Sequence, residues 1–411
     1  MRKVSRIKRL AFSDHSALTS RSFRYFLGGS FFVRTTDWMD LTLLNWLVYQ
    51  WTGSPVALAI LNACRLLPIL LFGIQAGVLA DRYNRKAILM ISYIGIMVST
   101  AILAYLVFAE VSVVLLYIAV VGRSLFMTIE VPVRNAFLSD LVDESRLPSA
   151  ISLQTLVINL ARMIGPALAG WLLLTVSAPV LFLFIACGTL IMLFSLAPIQ
   201  THSPACLIDK QRATNKEDLK ETFHYMKENR LIVTILLFAI APMIFGFPYT
   251  TMLPLFAEEL MGMGPDGFGL LLSISSIGAI IATLVLSLNQ PRYQGKVLIL
   301  SALGFGLFLG LFILFNGSYL LSLMLMLSVG FTSQLYRTTS RITLQMQVTQ
   351  ALRGRVLSIA LMDRAYIPLG ALIIGVIAGH FGTLIAGLFM GFGCFFTTLL
   401  LVWRRPELWN T

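Results

Sequence analysis

Leu79-Ala80-Asp81-Arg82-Tyr83-Asn84-Arg85-Lys86 is a short charged break between two apolar runs, 55–80 and 87–108. Asn289-Gln290-Pro291-Arg292-Tyr293-Gln294-Gly295-Lys296 breaks the chain in the same way between 266–289 and 297–316. The pattern Arg-Tyr-x-x-Lys recurs at an offset of 210 (292 − 82), and Arg134 and Arg146 recur as Arg341 and Arg353 at an offset of 207. Runs of this length reach the roughly 20 residues a helix needs to cross a bilayer core. In lipid the backbone must pair within its own segment, so each run reads as a helix.

Working outward, the remaining runs complete the set. The spans are 25–51, 55–80, 87–108, 111–133, 149–175 and 179–198, then 231–257, 266–289, 297–316, 319–342, 355–378 and 382–403. The fold class is therefore an all-α membrane protein, with twelve transmembrane helices in two six-helix pseudo-symmetric bundles. Residues 1–24 read as a basic cytoplasmic arm, 25–198 and 231–403 as the bundles, and 404–411 as a cytoplasmic tail. The only long polar interruption, 199–230, is a central linker in which Leu219, Phe223 and Met226 suggest a short amphipathic helix on the membrane surface. A six-plus-six parallel repeat is a plan used by alternating-access carriers.

Composition agrees, with 57% hydrophobic and 12% charged residues against about 25% charged in a soluble chain. The first 24 residues lack the short apolar core of a signal peptide. The cysteines Cys64, Cys187, Cys206 and Cys394 show no CxxC and no metal spacing. The net charge of +12 could indicate nucleic acid, but its placement does not. Five of the 31 Lys and Arg fall deep inside spans; the rest lie at or beyond span ends, on alternate sides of the crossings. The opposite loops carry Glu110, Glu258 and Glu259 and no Lys or Arg. The positive-inside rule then puts both termini in the cytoplasm of a cell inner (plasma) membrane protein. The basic face meets anionic lipid headgroups, so membrane lipids and not nucleic acid are the expected partners.

The first loop in full, Gly77-Val-Leu-Ala-Asp81-Arg82-Tyr-Asn-Arg85-Lys86, resembles the GxLxDRxxRK signature of the major facilitator superfamily. Arg162-Met-Ile-Gly165-Pro166-Ala-Leu-Ala-Gly170 resembles the helix 5 motif of that superfamily's drug/proton antiporters, with Ala169 where a glycine is usual. Trp46-Leu-Val-Tyr-Gln-Trp-Thr-Gly-Ser-Pro55, Arg65-Leu-Leu-Pro68 and Leu352-Arg-Gly-Arg-Val356 are similar to the branch containing enterobactin-type siderophore exporters and macrolide efflux pumps. The resemblance covers essentially the whole chain and implies the major facilitator fold and export. It also places Arg65 and Arg162 where such carriers often show arginine, and Arg123 at the helix 4 position linked to proton coupling.

Physical chemistry gives these motifs roles of their own. Gly77 would let helix 2 approach a neighbour closely. Asp81 among Arg82, Arg85 and Lys86, joined by Glu130 and Arg134 at i, i+4, would form a charged gate; a topology anchor is the plainer reading. Pro291 stands in the place of Asp81 in the second copy, so any gate is asymmetric. Pro166 in helix 5, and Pro242, Pro248 and Pro254 in helix 7, remove helical hydrogen bonds and permit bending.

Charges inside the membrane are functional by default. Five arginines (Arg34, Arg65, Arg123, Arg162, Arg364) face three acids (Asp37, Asp40, Asp363). Arg34 stands one turn from Asp37, leaving Asp40 as the expected proton carrier, with Asp37, Arg123 and Asp363 as further coupling candidates. Arg34, Arg65, Arg162 and Arg364 are the substrate-binding candidates. A surplus of two positive charges favours an anionic or zwitterionic cargo, siderophore-like or another secondary metabolite. Proton antiport is the expected mode, with no cofactor and no metal. The small-molecule cargo, protons and lipids are the partners, and a monomer is expected. A multidrug or macrolide-type pump and a facilitator or lipid-moving carrier remain alternatives on the same fold. An enzyme is disfavoured, because His15, His202, His224 and His380 form no reactive constellation.

Overall fold

A computed structural model describes residues 16–200, 225–226, 229–288, 293–348, 365–405 and the single residues 356, 360, 363 and 409. The side chains of Ile74 and Asp81 lie outside this described set. So do the proposed linker helix, apart from helical Tyr225 and Met226, and Arg364.

Twelve long helices occur among the described residues. They are α1 Arg21–Thr52, α2 Pro55–Arg82, α3 Arg85–Phe108, α4 Val113–Asp140, α5 Leu147–Leu172 and α6 Ala178–Leu196. Then follow α7 Arg230–Leu260, α8 Pro265–Leu288, α9 Gln294–Leu314, α10 Tyr319–Gln347, α11 Tyr366–Phe381 and α12 Thr383–Arg404. Ten are long and apolar enough to cross a membrane. α1 falls short in apolarity because Arg34, Asp37 and Asp40 sit in its middle, and α11 is described over 16 residues. Leu71, Ile91, Ile118, Phe194, Leu284 and Leu320 stand exposed on their helices. Such an apolar surface suits a bilayer, where lipid tails solvate it.

By backbone packing the chain forms two units. The first holds Met1–Leu44 and Cys64–Asp209; the second holds Asn45–Ala63 and Lys210–Thr411. In the first, α3 packs on α4 and α6; in the second, α9 packs on α10 and α12. The pairings repeat six helices apart, which is the structural form of the sequence repeat.

Two boundaries differ from the sequence reading. α4 continues to Asp140 and not 133, and α10 to Gln347 and not 342, so Arg134 lies within its helix and both helices run further than their apolar cores. A helix does not stop where its hydropathy falls, because polar turns continue it beyond the apolar core.

The three prolines of α7 coincide with breaks in its regular α-helical bonding. The helix is α-helical over Arg230–Ala241, widens to a π-helix over Pro242–Gly246, and widens again over Phe256–Leu260. Phe247 N donates to Pro242 O at 2.8 Å, an i→i−5 bond that lets the chain absorb the missing proline donors. In the same unit Trp46 stacks on Phe268 at 6.2 Å, and Glu259 accepts from Tyr49 Oη at 3.0 Å and from Thr383 Oγ1.

Candidate functional site: a buried charge network around helix 1

The first unit gathers its charges on one face of α1. Arg34, Asp37 and Asp40 are spaced by three, so they share a face. Arg123 and Glu130 on α4 are seven apart and share a face of their own, with Arg134 one turn further. Arg123 grips Asp40 with both terminal nitrogens, as a fork-on-fork pair. Arg65 of α2 reaches the same carboxylate at 3.1 Å, an ion pair without the alignment of a hydrogen bond.

One turn along α1, Arg34 Nη1 donates to Asp37 Oδ2 at 2.8 Å, and its other terminal nitrogen donates to Glu130. Glu130 Oε1 also accepts from Tyr93 Oη of α3 at 2.7 Å and lies 2.9 Å from Arg134 Nε. Two neighbouring clusters on α1 thus gather three acids and four arginines: Asp40, Arg123, Glu130 and Arg134 are buried, and Arg34, Asp37 and Arg65 are half-buried. Asp37 is the loosest member: its side chain is 21% exposed, and it shares Arg34 with Glu130.

This corrects two expectations. Asp40 is not the acid left over, because two arginines hold it; among the described residues, Asp37 is the acid with a single, shared partner. Among the described side chains, Glu130 and Arg134 join Arg34 and Tyr93 and not Arg82, Arg85 or Lys86, because the extra turns of α4 carry them inward. Tyr93 was invisible as a site residue, being one tyrosine in an apolar run.

Arg162 stands apart. Its guanidinium lies over the Trp38 ring at 5.4 Å, and no carboxylate among the described residues pairs with it. Gly165 explains the closeness of α5 to α1, since a Cβ there would meet Thr35 O and Trp38 Cβ, each at 2.7 Å. Gly188 of α6 faces Thr36 with equally little room. Pro166 and Gly170 are buried within a continuous α5, and Gly165 beside them seats the helix on α1.

The loop residues do a separate job. Asn84 caps α3 by accepting from Ala87 N at 3.1 Å. Arg85 donates to Asp140 at 2.6 Å and to the carbonyls of Ala80 and Ala136. Lys86 donates to the carbonyls of Ala197 and Ile199 at 2.9 and 2.7 Å, beyond the end of α6. These bonds tie α2, α4 and α6 to the start of α3. Arg82 is exposed. A Cβ on Gly77 would meet nothing within 4 Å, so the expected close approach there is not made. In the second unit, Asp363 lines a cavity of about 190 Å³ with Arg341, Ser340 and Gln345.

A duplicated multi-pass helical bundle with an ion network at its heart is the architecture of a secondary carrier. The chain belongs to the transmembrane secretion effector family of the major facilitator superfamily, which it matches over residues 12–408. It is a transporter and not an enzyme. It is 34% identical over 391 residues to the staphyloferrin A transporter of Staphylococcus aureus, covering 94% of this chain and 96% of that one. It is 22% identical over 337 residues to macrolide efflux protein A of Streptococcus pyogenes, covering 80% and 83%. Its fold matches the crystal structure of a D-xylose-proton symporter with a TM-score of 0.72 at 16% identity, covering 96% of this chain and all of the other.

Proposed function

We propose that this carrier exports an anionic or zwitterionic metabolite of the siderophore type from the cytoplasm by proton antiport. The observation that carries the reading is Arg162, a half-buried arginine stacked on Trp38 with no acid among the described residues to neutralise it. The network arginines are already engaged by Asp37, Asp40 and Glu130, so among the described embedded arginines of the first unit Arg162 is the cation open to a cargo acid. Across the first unit five arginines (34, 65, 123, 134, 162) face three acids (37, 40, 130), an embedded surplus of two. Similarity to a staphyloferrin A transporter supports the siderophore class, and similarity to an efflux protein supports the outward direction.

Asp37 is the proton carrier in this reading, since it can leave Arg34 while Glu130 keeps that arginine engaged. The protein works as a monomer in the plasma membrane with both termini cytoplasmic, as the basic loops favour, and it needs no cofactor beyond the proton gradient. The test is uptake of staphyloferrin A into everted membrane vesicles. Uptake that requires an acid interior, and that falls in Arg162→Gln, is the expected result. Uptake of a lipophilic cation instead, unchanged in Arg162→Gln, overturns the reading and moves the carrier to the macrolide-type pumps.

A further inference from the structure

From its start to Arg162, α5 carries six polar or charged side chains, and they fall into two sets. The small hydroxyls are all satisfied: Ser149 accepts from Ala17 N, Ser152 donates to Pro148 O, and Thr155 donates to Ile151 O. The large ones are not. Gln154 is 5% exposed, yet neither its amide nitrogen nor its amide oxygen has a partner. Asn159, half-buried, makes no hydrogen bond to the described residues. Arg162 touches the Trp38 ring and no acid.

Helical geometry relates the three. Arg162 lies eight residues beyond Gln154, which at 1.5 Å and 100° per residue is about 12 Å up the helix and about 80° round it. Asn159 lies one turn below Arg162 at i, i+3, about 60° further round, so it flanks the arginine. Gln154 lies within the buried stripe of Ala150, Val157, Ala161 and Gly165, Arg162 at its margin, and Asn159 just outside it. All three fall within about 140° of the helix surface, less than half its girth. A buried amide with both halves unpaired destabilises the fold, and a leucine there would not. Something other than folding of the empty protein accounts for Gln154.

We infer that Gln154, Asn159 and Arg162 are a cargo-reading face of α5, in which Arg162 binds an acidic group and the two amides bind neighbouring hydroxyl, amide or carboxyl oxygens. Arg162 and Asn159 are partly open in this state, whereas Gln154 is enclosed, so the cargo meets Gln154 only as the carrier changes state. Each carboxamide offers two donors and one acceptor, which match a polyfunctional hydroxy-acid and give a hydrophobic cation nothing to pair with. The inference rests on the anionic-cargo reading, because Arg162 anchors the face.

The test uses purified full-length Gln154→Leu, Asn159→Leu and Arg162→Gln, with Gln154→Met as a second apolar variant should the leucine fail to fold. Thermal stability is read without ligand, and ligand-induced stabilisation with metal-free staphyloferrin A, citrate and tetraphenylphosphonium. Without ligand, Gln154→Leu or Gln154→Met melts above wild type, because an unpaired amide is gone. With staphyloferrin A, the Gln154 and Asn159 variants each bind about 2- to 13-fold more weakly, the loss expected for one hydrogen bond. Undiminished binding in both, with binding lost in Arg162→Gln, overturns the three-residue face and leaves the cargo reading standing. A lower melting point for both Gln154 variants also overturns it, by showing that the amide supports the fold. Stabilisation of wild type by tetraphenylphosphonium alone defeats the cargo reading, and the face with it.

Discussion

Replacing Asp40 by Asn removes the carboxylate that Arg123 grips with both terminal nitrogens and that Arg65 reaches at 3.1 Å. The amide keeps the shape but has one acceptor oxygen and turns an NH2 toward a guanidinium. Asp40 and Arg123 are each 2% exposed, so water cannot take over the stranded charges. Removing one partner from a buried ion pair costs about 3–5 kcal/mol. At about 1.4 kcal/mol per decade this lowers the folded-to-unfolded ratio roughly 140- to 3,700-fold. Asp37→Asn differs, because Arg34 keeps Glu130 and the site is partly exposed; its cost stays near the about 0.2–1 kcal/mol of exposed pairs. Thermal unfolding of both purified variants, with proton-driven flux and cargo-for-cargo exchange at equal amounts of folded protein, separates the two roles. Asp40→Asn is expected to lose stability, whereas Asp37→Asn keeps its stability and its exchange but loses proton-driven export. The reasoning is refuted if Asp40→Asn melts with wild type, or if Asp37→Asn exports at wild-type rates across pH 6 to 8.

Other consequences are as direct. Arg162→Gln should weaken anionic cargo binding roughly 10- to 150-fold, the worth of a charge-assisted bond of about 1.5–3 kcal/mol. Arg162→Lys should recover part of that loss, keeping the charge without the planar fork; both are read by ligand-induced thermal stabilisation. Arg65→Gln, whose arginine is spent on Asp40, should lower the melting temperature more than it lowers affinity per folded molecule. Gly165→Leu drives a side chain into Thr35 O and Trp38 Cβ, neither of which can yield without moving α1, and should cost about 1–3 kcal/mol on unfolding. A reporter active only outside the cytoplasm should be silent after Arg405 and active near Ser54 or Ser318; activity at Arg405 would reverse the topology.

The helices were legible because lipid leaves the chain few choices: twelve apolar runs of spanning length became twelve helices, and the proline cluster of α7 became two π-helical segments. The ion pair of Arg34 with Asp37 was legible for the same reason, being set by spacing within one helix. What pairs across helices was not. Asp40 looked free because its arginines, Arg123 and Arg65, come from other helices far along the chain, and nothing local says which of them reaches it. Hydropathy ends α4 at 133 and leaves Glu130 at the rim, whereas the helix runs to Asp140 and Glu130 stands beside Arg34 in the network. Asp140, the partner of Arg85, lies in those added turns, beyond the apolar run. Gln154 gave no sign at all, since an unpaired amide is a property of its surroundings.

Charge alone does not make this site an antiporter. Protonating Asp37 removes a negative charge from a region that already carries a surplus of arginines, so it strengthens the attraction for an anion. That is the sense of co-transport, and exchange requires the proton and the cargo to exclude each other. The exclusion in the proposed cycle is therefore mechanical, and α1 has the geometry for it. Trp38 follows Asp37 in the chain, carries Arg162 on its ring, and has Gly165 pressed against its Cβ. Thr36, on the other side of Asp37, is pressed by Gly188. A turn of α1 that follows release of Asp37 from Arg34 cannot leave Trp38 in place, so it removes the surface on which Arg162 is held. In this mechanism the helix 5 glycine is the coupling element: it would transmit the state of one carboxylate to the arginine proposed to hold the cargo. Gly165→Ala adds one methyl at that contact, so it should disturb the ratio of protons to cargo more than the affinity for either.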